Sequence, residues 1–140
     1  MKPAETPPEV DAIVQLSFAV QLLLTRVAAE HELSVTQVRM LGILRDRTPS
    51  MAEIADHLEL DRSSVSGLVD RAERRGLVAR HPSERDARVT LVEATDSGFA
   101  VGADIAAAVT RGIRAFLEGS AATDVDAVVR LAGRAIRRGQ

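Results

Sequence analysis

Apolar side chains recur at Ile13, Leu16, Val20, Leu23, Leu24 and Val27, the spacing of one helical face held over about five turns. The pattern predicts a first helix from Asp11 to about Glu30. Ser34 followed by Gln37 is a capping-box signal, and Val38, Leu41 and Leu44 then share a face. Thr48-Pro49 stops this second helix near Asp46. Ser50 and Glu53 repeat the signal for a short third helix, Ser50–His57, with Ile54, Ala55 and Leu58 inward. Asp61 caps a fourth, running to Arg75, with Val65, Leu68, Val69 and Ala72 on one side and Gly76 just past its end.

After Gly76 the period changes. Leu77–Arg80 and Arg88–Val92 are short and rich in Val, Leu and Thr, and His81–Ala87 between them has no apolar anchor. This predicts a two-stranded hairpin with a charged tip. Helical spacing then returns through Phe99, Ile105, Val109, Ile113, Phe116 and Leu117, with Thr95 as cap. Gly119-Ser120 breaks it, and Thr123 with Asp126 is expected to cap a last helix carrying Val125, Val128, Val129, Ala132 and Ile136. The first and last helices are more apolar than the compact middle can cover, so they bury one another or a second copy.

The fold class is therefore mainly α with a small β-hairpin wing (α+β). Two short helices joined tightly and followed by a basic hairpin make a winged helix-turn-helix. The segments expected are 1–10, a flexible N-terminal stretch; 11–33, the N-terminal helix; 34–94, the winged domain; and 95–138, the C-terminal helices.

Charge sharpens the picture. The net charge of -2 hides a gradient. Residues 62–90 hold seven arginines against four carboxylates, whereas residues 1–61 are strongly acidic. Local positive charge on a mildly acidic protein suits a polyanion, although a solvated surface has the same appearance. The outward face of the fourth helix begins Arg62-Ser63-Ser64, continues Ser66-Gly67 and ends Asp70-Arg71. Hydroxyls and an arginine at a helix start suit phosphates and base edges in a major groove. Ser63 and Ser64 fit equally as first-turn capping residues, and Arg74 and Arg75 either touch DNA or compensate the helix dipole. Arg85, at the hairpin tip, suits a narrow minor groove. Asp86 and Arg88 are close enough to pair and stiffen that tip.

Composition excludes several chemistries. There is no Cys, which removes disulfides, thiol nucleophiles and cysteine redox switching. Aromatics are 2% of the chain, so few side chains could stack on an aromatic effector. Leu16–Val27, the longest apolar stretch, is interrupted by Gln21, Thr25 and Arg26, and no membrane span or export signal is expected. A cytoplasmic location follows. Catalysis would rest on His57 with Glu53, or on His31 between Glu30 and Glu32, with no nucleophile at a fixed offset, so no enzyme is expected. Glycine-rich nucleotide loops are absent and no cofactor is expected. Two competing readings stay open: a zinc- or other metal-responsive regulator using Glu53 and His57, and a winged helix that binds protein rather than DNA. The apolar zone between the first two helices and the Phe99 helix is either an effector site or a filled core.

The run Asp61-Arg62-Ser63-Ser64-Val65-Ser66, then Leu68-Val69-Asp70-Arg71, Arg75-Gly76-Leu77-Val78-Ala79-Arg80, Glu84-Arg85-Asp86-Ala87-Arg88, Leu91 and Thr95-Asp96-Ser97-Gly98 resembles the MarR family of bacterial transcriptional regulators over residues 11–138. The resemblance implies a homodimeric repressor that binds an inverted-repeat operator in double-stranded DNA and is released by a small organic effector. By position it matches Arg62, Ser63, Ser64 and Ser66 to the family's recognition-helix surface and Arg85 to its wing-tip arginine; Gly67, Arg71 and Arg88 complete the set of residues expected at the DNA. It gives Asp86 the support of the wing. Ile13, Leu16, Val20, Val109, Ile113, Phe116, Val125, Val128, Val129 and Ile136 fall to the dimer helices. The chain departs from the family pattern at Gly67, where a larger residue is common, at Ser83, where Asp is usual, and at Ala72, where Leu is common.

Overall fold

In the computed structural model, residues 5–139 are described. Six helices and one antiparallel hairpin follow in the order α1 (Pro8–Glu30), α2 (Val35–Leu44), α3 (Met51–Leu58), α4 (Arg62–Arg74), β1 (Val78–Pro82), β2 (Thr90–Ala94), α5 (Asp96–Phe116) and α6 (Ala122–Arg138). The chain divides into two compact units, one reaching Val109 and one starting at Thr110.

Local caps explain most boundaries in the first unit. Ser34 and Ser50 each accept from the backbone N–H three residues on, while Gln37 and Glu53 reach back to the cap N–H, so both capping boxes are complete. Asp61 closes the start of α4 by accepting from Ser64 N–H. At the end of α4, Gly76 takes φ 71, the left-handed turn that glycine adopts without strain. α3 ends instead on Glu59 at φ 55, and Leu60 N–H returns to Ala55 O. This closes the tight turn between α3 and α4.

One aliphatic core holds the unit. Met40, Leu44, Ile54, Val65, Val69 and Val92 are fully buried, so α2, α3, α4 and the hairpin share a single interior. Val27 and Ala28 bring the end of α1 into it, and Ile105 brings α5. The zone between α1, α2 and α5 is lined by these buried side chains, while Phe99 faces outward. The segment before α3 joins the sheet: Val92 N–H donates to Pro49 O at 2.9 Å, and Ser50 bridges Leu91.

Four features differ from the sequence expectation, three of them boundaries. α1 begins at Pro8, inside the stretch expected to be flexible, because proline is suited to the first helical turn, where its missing N–H costs nothing. The rest of that stretch, residues 1–4, lies outside the described residues. The strands sit one to two residues later than predicted, pairing Val78 with Ala94 and Pro82 with Thr90. Pro82 is tolerated because it ends an edge strand. α6 is led by Ala121, without a side-chain cap, and Thr123 lies inside the helix.

The fourth concerns hydrophobicity. α1 has the length and apolar composition of a membrane-crossing helix, contrary to the expectation that no stretch would. Most of its interruptions, at Gln15, Ser17, Gln21 and Thr25, are polar without charge, Arg26 is the exception, and its early start lengthens it. Interior helices of water-soluble proteins pass the same test.

In the second unit, α5 ends at Phe116, Gly119 turns the chain at φ 81, and α6 follows. None of its side chains is fully buried on α6; Val129 and Ile136 are 66% and 63% exposed.

Candidate nucleic-acid interface

α4 buries Val65, Leu68, Val69 and Ala72, which fixes the opposite face outward. That face presents Arg62, Ser63, Ser64, Asp70, Arg71 and Arg74, all exposed, with Ser66 and Gly67 half-buried. Its N-terminus is organised by Asp61. The carboxylate accepts from Ser63 Oγ at 2.6 Å, from Ser64 N–H at 2.8 Å and from Ser64 Oγ at 2.9 Å. These bonds, from Ser63 first, hold the Asp61 carboxyl down at about 2. Both serine hydroxyls thus spend their protons on Asp61 and offer outward only acceptor lone pairs. The capping role weighed for Ser63 and Ser64 is the one their hydrogens take.

Gly67 has a local reason. A Cβ placed there would lie 3.2 Å from Arg71 Nη1, so the arginine folds back over the bare backbone one turn away.

The hairpin tip carries Arg85, exposed, with only its backbone N–H engaged, donating to Ser83 Oγ at 3.3 Å. Asp86 and Arg88 pair as expected. Arg88 Nε and Nη2 donate to the two carboxylate oxygens at 3.0 and 3.1 Å, and Arg88 N–H adds a third bond at 3.0 Å. The Arg88 hydrogen bonds pull the Asp86 carboxyl below the usual carboxylate range. An open cleft of about 360 Å³ separates α4 from the wing; Arg62 and Arg88 face it from two sides and the first turn of α3, Ser50–Ala52, from a third.

Two arginines serve the fold instead. Arg80, on β1, donates to Asp70, to Glu73 and to Ser66 O, and its own N–H donates to Glu73 Oε2 at 3.1 Å. Ser66, Asp70 and Glu73 follow one another along one stripe of α4, so Arg80 straps the wing's first strand along the helix. Arg75 reaches back to the end of α1, where Nη1 donates to Glu32 O at 2.7 Å and Nη2 to His31 O at 2.9 Å. Neither role is legible in the sequence, because the partners lie 7 to 44 residues away. Among the described residues, the side chains of Arg62, Arg71, Arg74 and Arg85 take no hydrogen bond or ion pair.

Of the two histidines weighed for catalysis, His57 is otherwise engaged. His57 Nδ1 lies 2.8 Å from Glu53 O and its Nε2 3.3 Å from Arg47 Nη1, which assigns the proton to Nδ1 and makes Nε2 an acceptor. Glu53 turns the other way, to Ser50 N–H at 2.7 Å, which lowers its pKa. Among the described residues no three His, Asp or Glu side chains gather as a metal-binding group.

Residues 31–89 match the family model described as MarR family, a stretch that holds the helix-turn-helix and the wing tip. Over that stretch, less than half of its length, the chain is similar to the MarR family. The chain is 38% identical over 78 residues to the transcriptional activatory protein BadR of Rhodopseudomonas palustris, covering 53% of this chain and 45% of BadR. It is 36% identical over 75 residues to the transcriptional repressor NicR of Pseudomonas putida, covering 53% and 48%. The matches thus span about half the length of these relatives. The fold is shared throughout with the PcaV transcriptional regulator of Streptomyces coelicolor, solved in complex with its natural ligand, at 24% identity, TM-score 0.75 and full coverage of both chains.

Proposed function

We propose that the chain is a sequence-specific regulator of transcription that binds double-stranded DNA as a homodimer. α4 lies in the major groove and Arg85 in the minor groove of each half of an inverted repeat. The observation that carries this reading is the disposition of arginines. Arg62, Arg71 and Arg74 on α4 and Arg85 on the wing are exposed with free guanidinium groups, beside a helix start whose charge is already balanced by Asp61. Free N–H donors on a convex helix and a projecting finger fit a grooved polyanion. Ser66 and Arg88 supply further contacts, Gly67 allows close approach of the backbone, and Ser63 and Ser64 act as acceptors or through water.

The partner copy covers the apolar faces that one chain leaves open. Ile13, Leu16, Phe116, Val128, Val129 and Ile136 are exposed, and Val20, Val109, Ile113 and Val125 half-buried. The protein acts in the cytoplasm as a repressor, as NicR's name says of that relative, and a small organic effector releases it, a reading supported by PcaV's having been solved with a ligand.

Selection of bound duplexes from a random pool tests the reading. An inverted repeat with half-sites one helical turn apart, about 34–36 Å, is expected. Arg62→Ala should then reduce the preference for that repeat over random duplex by roughly 5- to 150-fold for each half-site, the loss of one bidentate base contact in each. An equal loss on both duplexes would reduce Arg62 to a phosphate contact, and recovery of no preferred sequence would refute specific binding.

A further inference from the structure

Arg75 lies in the most basic segment of the chain, yet its guanidinium turns away from the outer face of α4. As the C-cap of α4 it reaches 43 and 44 residues back along the sequence, to the carbonyls of Glu32 and His31. Those carbonyls belong to the turn that ends α1, where Glu32 takes φ 55 and Leu33 N–H returns to Ala28 O at 2.9 Å. The two bonds leave one planar fork, so they fix direction as well as distance. α1 packs on α2, α2 on α3 and α3 on α4. Among the described residues, the hydrogen-bonded link between the end of α1 and the end of α4 is this side chain.

α1 also carries the uncovered apolar positions Ile13 and Leu16. Resting on the homodimeric DNA-binding reading above, we infer that Arg75 is a positioning residue for half-site spacing. It ties the DNA-reading helix to the helix that meets the second copy, and so sets how far apart, and at what relative twist, the two α4 helices stand. One inserted base pair moves the half-sites by about 3.4 Å and turns them by about 35°. A frame pinned at Arg75 resists that change, and a frame released there accommodates it.

The experiment uses the full chain, the inverted repeat recovered by selection, and the same duplex with one base pair added or removed at its centre. Arg75→Lys is the main variant, because it keeps the charge and loses the fork; Arg75→Ala is the second. Thermal unfolding establishes that both are folded. The expected result for Arg75→Lys is a three- to tenfold loss on the parent repeat and a spacing penalty at least threefold smaller than that of the wild type. Discrimination within a half-site should not change. For Arg75→Ala the slope of log affinity against log salt should also stay as in the wild type, since no phosphate contact is removed. Amide exchange at Leu33, read without DNA, should quicken in both variants. An unchanged spacing penalty, or a salt slope reduced by about 1 per arginine lost, overturns the inference and makes Arg75 a structural cap or a phosphate contact. Failure of the wild type to select any repeat, with exchange at Leu33 still quickened, overturns the DNA-binding reading and the spacing role with it.

Discussion

At the scale of single residues, three carboxylates show how the interface is held in shape. Asp61 at the start of α4, Glu53 at the start of α3 and Asp86 on the wing are all more acidic than ordinary carboxyls, each because nearby donors favour its ionised form. A depressed folded pKa contributes stability that is fully present above the unfolded value, near 4, and disappears as pH falls through the folded one. For Asp61 that window runs from about pH 4 down to about 2. Asp61→Asn keeps a capping side chain but cannot ionise. The stability gap between wild type and this variant should therefore be constant above pH 4 and close as pH drops toward 2, measured by urea unfolding at each pH. A gap that persists at pH 2 would show that the Asp61 charge has no part in holding the helix start. The same residue shows what a sequence reveals: a cap and its donors lie within three positions, so Asp61 was legible as a cap. That Ser63 and Ser64 would give their protons to it was not, because a hydroxyl's direction depends on rotamers.

At the scale of elements, two glycines make opposite demands. Gly67 sits inside α4, where glycine is about 1 kcal/mol worse than alanine. The nearest atom to an added Cβ is the mobile end of Arg71. Gly67→Ala should raise stability by up to about 1 kcal/mol in chemical denaturation, with Arg71 swinging aside. Gly98, at the start of α5, has no such freedom. A Cβ there would fall 2.0 Å from Leu77 O, a backbone atom that also accepts from Thr95 N–H. Gly98→Ala should cost about 1–3 kcal/mol or more, because the clash can be relieved only by moving α5 from the wing. An unperturbed melting curve would disprove that close approach. Most helices were readable in the chain because capping boxes and three-to-four spacing are local. The hairpin's register was not: it depends on Pro49 and Ser50 joining the sheet from 41 or more positions away. Nor could the sequence separate Arg75 and Arg80, which brace the fold, from Arg62 and Arg85, which are free. A count of charges carries no information on which partner each one meets.

At the scale of the whole molecule, the uncovered apolar positions on α1 and α6 and the free arginines lead to linked expectations. If Arg62, Arg71, Arg74 and Arg85 each neutralise one phosphate charge, whether bound to a phosphate or to a base edge beside it, a dimer neutralises eight, and affinity should fall with salt at a log–log slope of about -7. A slope near -3 or -4 would mean that only one copy, or half the arginines, engages. Leu16→Glu places charge on the open face of α1 without entering the core, since Leu16 is 49% exposed. It should sediment as a folded single chain at concentrations where the wild type is a dimer, and lose the inverted repeat while keeping weak, non-specific DNA binding. The melting temperature of the wild type should rise with protein concentration, and that of the variant should not. A variant that still sediments as a dimer would move the contact elsewhere.

The bare face of α1 also bears on gene dosage. A protein that reads its target only in pairs is active in proportion to the square of its abundance once copies become scarce. Halving the number of chains in a dividing cell would then quarter the pairs on offer, giving a sharper threshold than a lone reader could produce, with no second binding site on the chromosome.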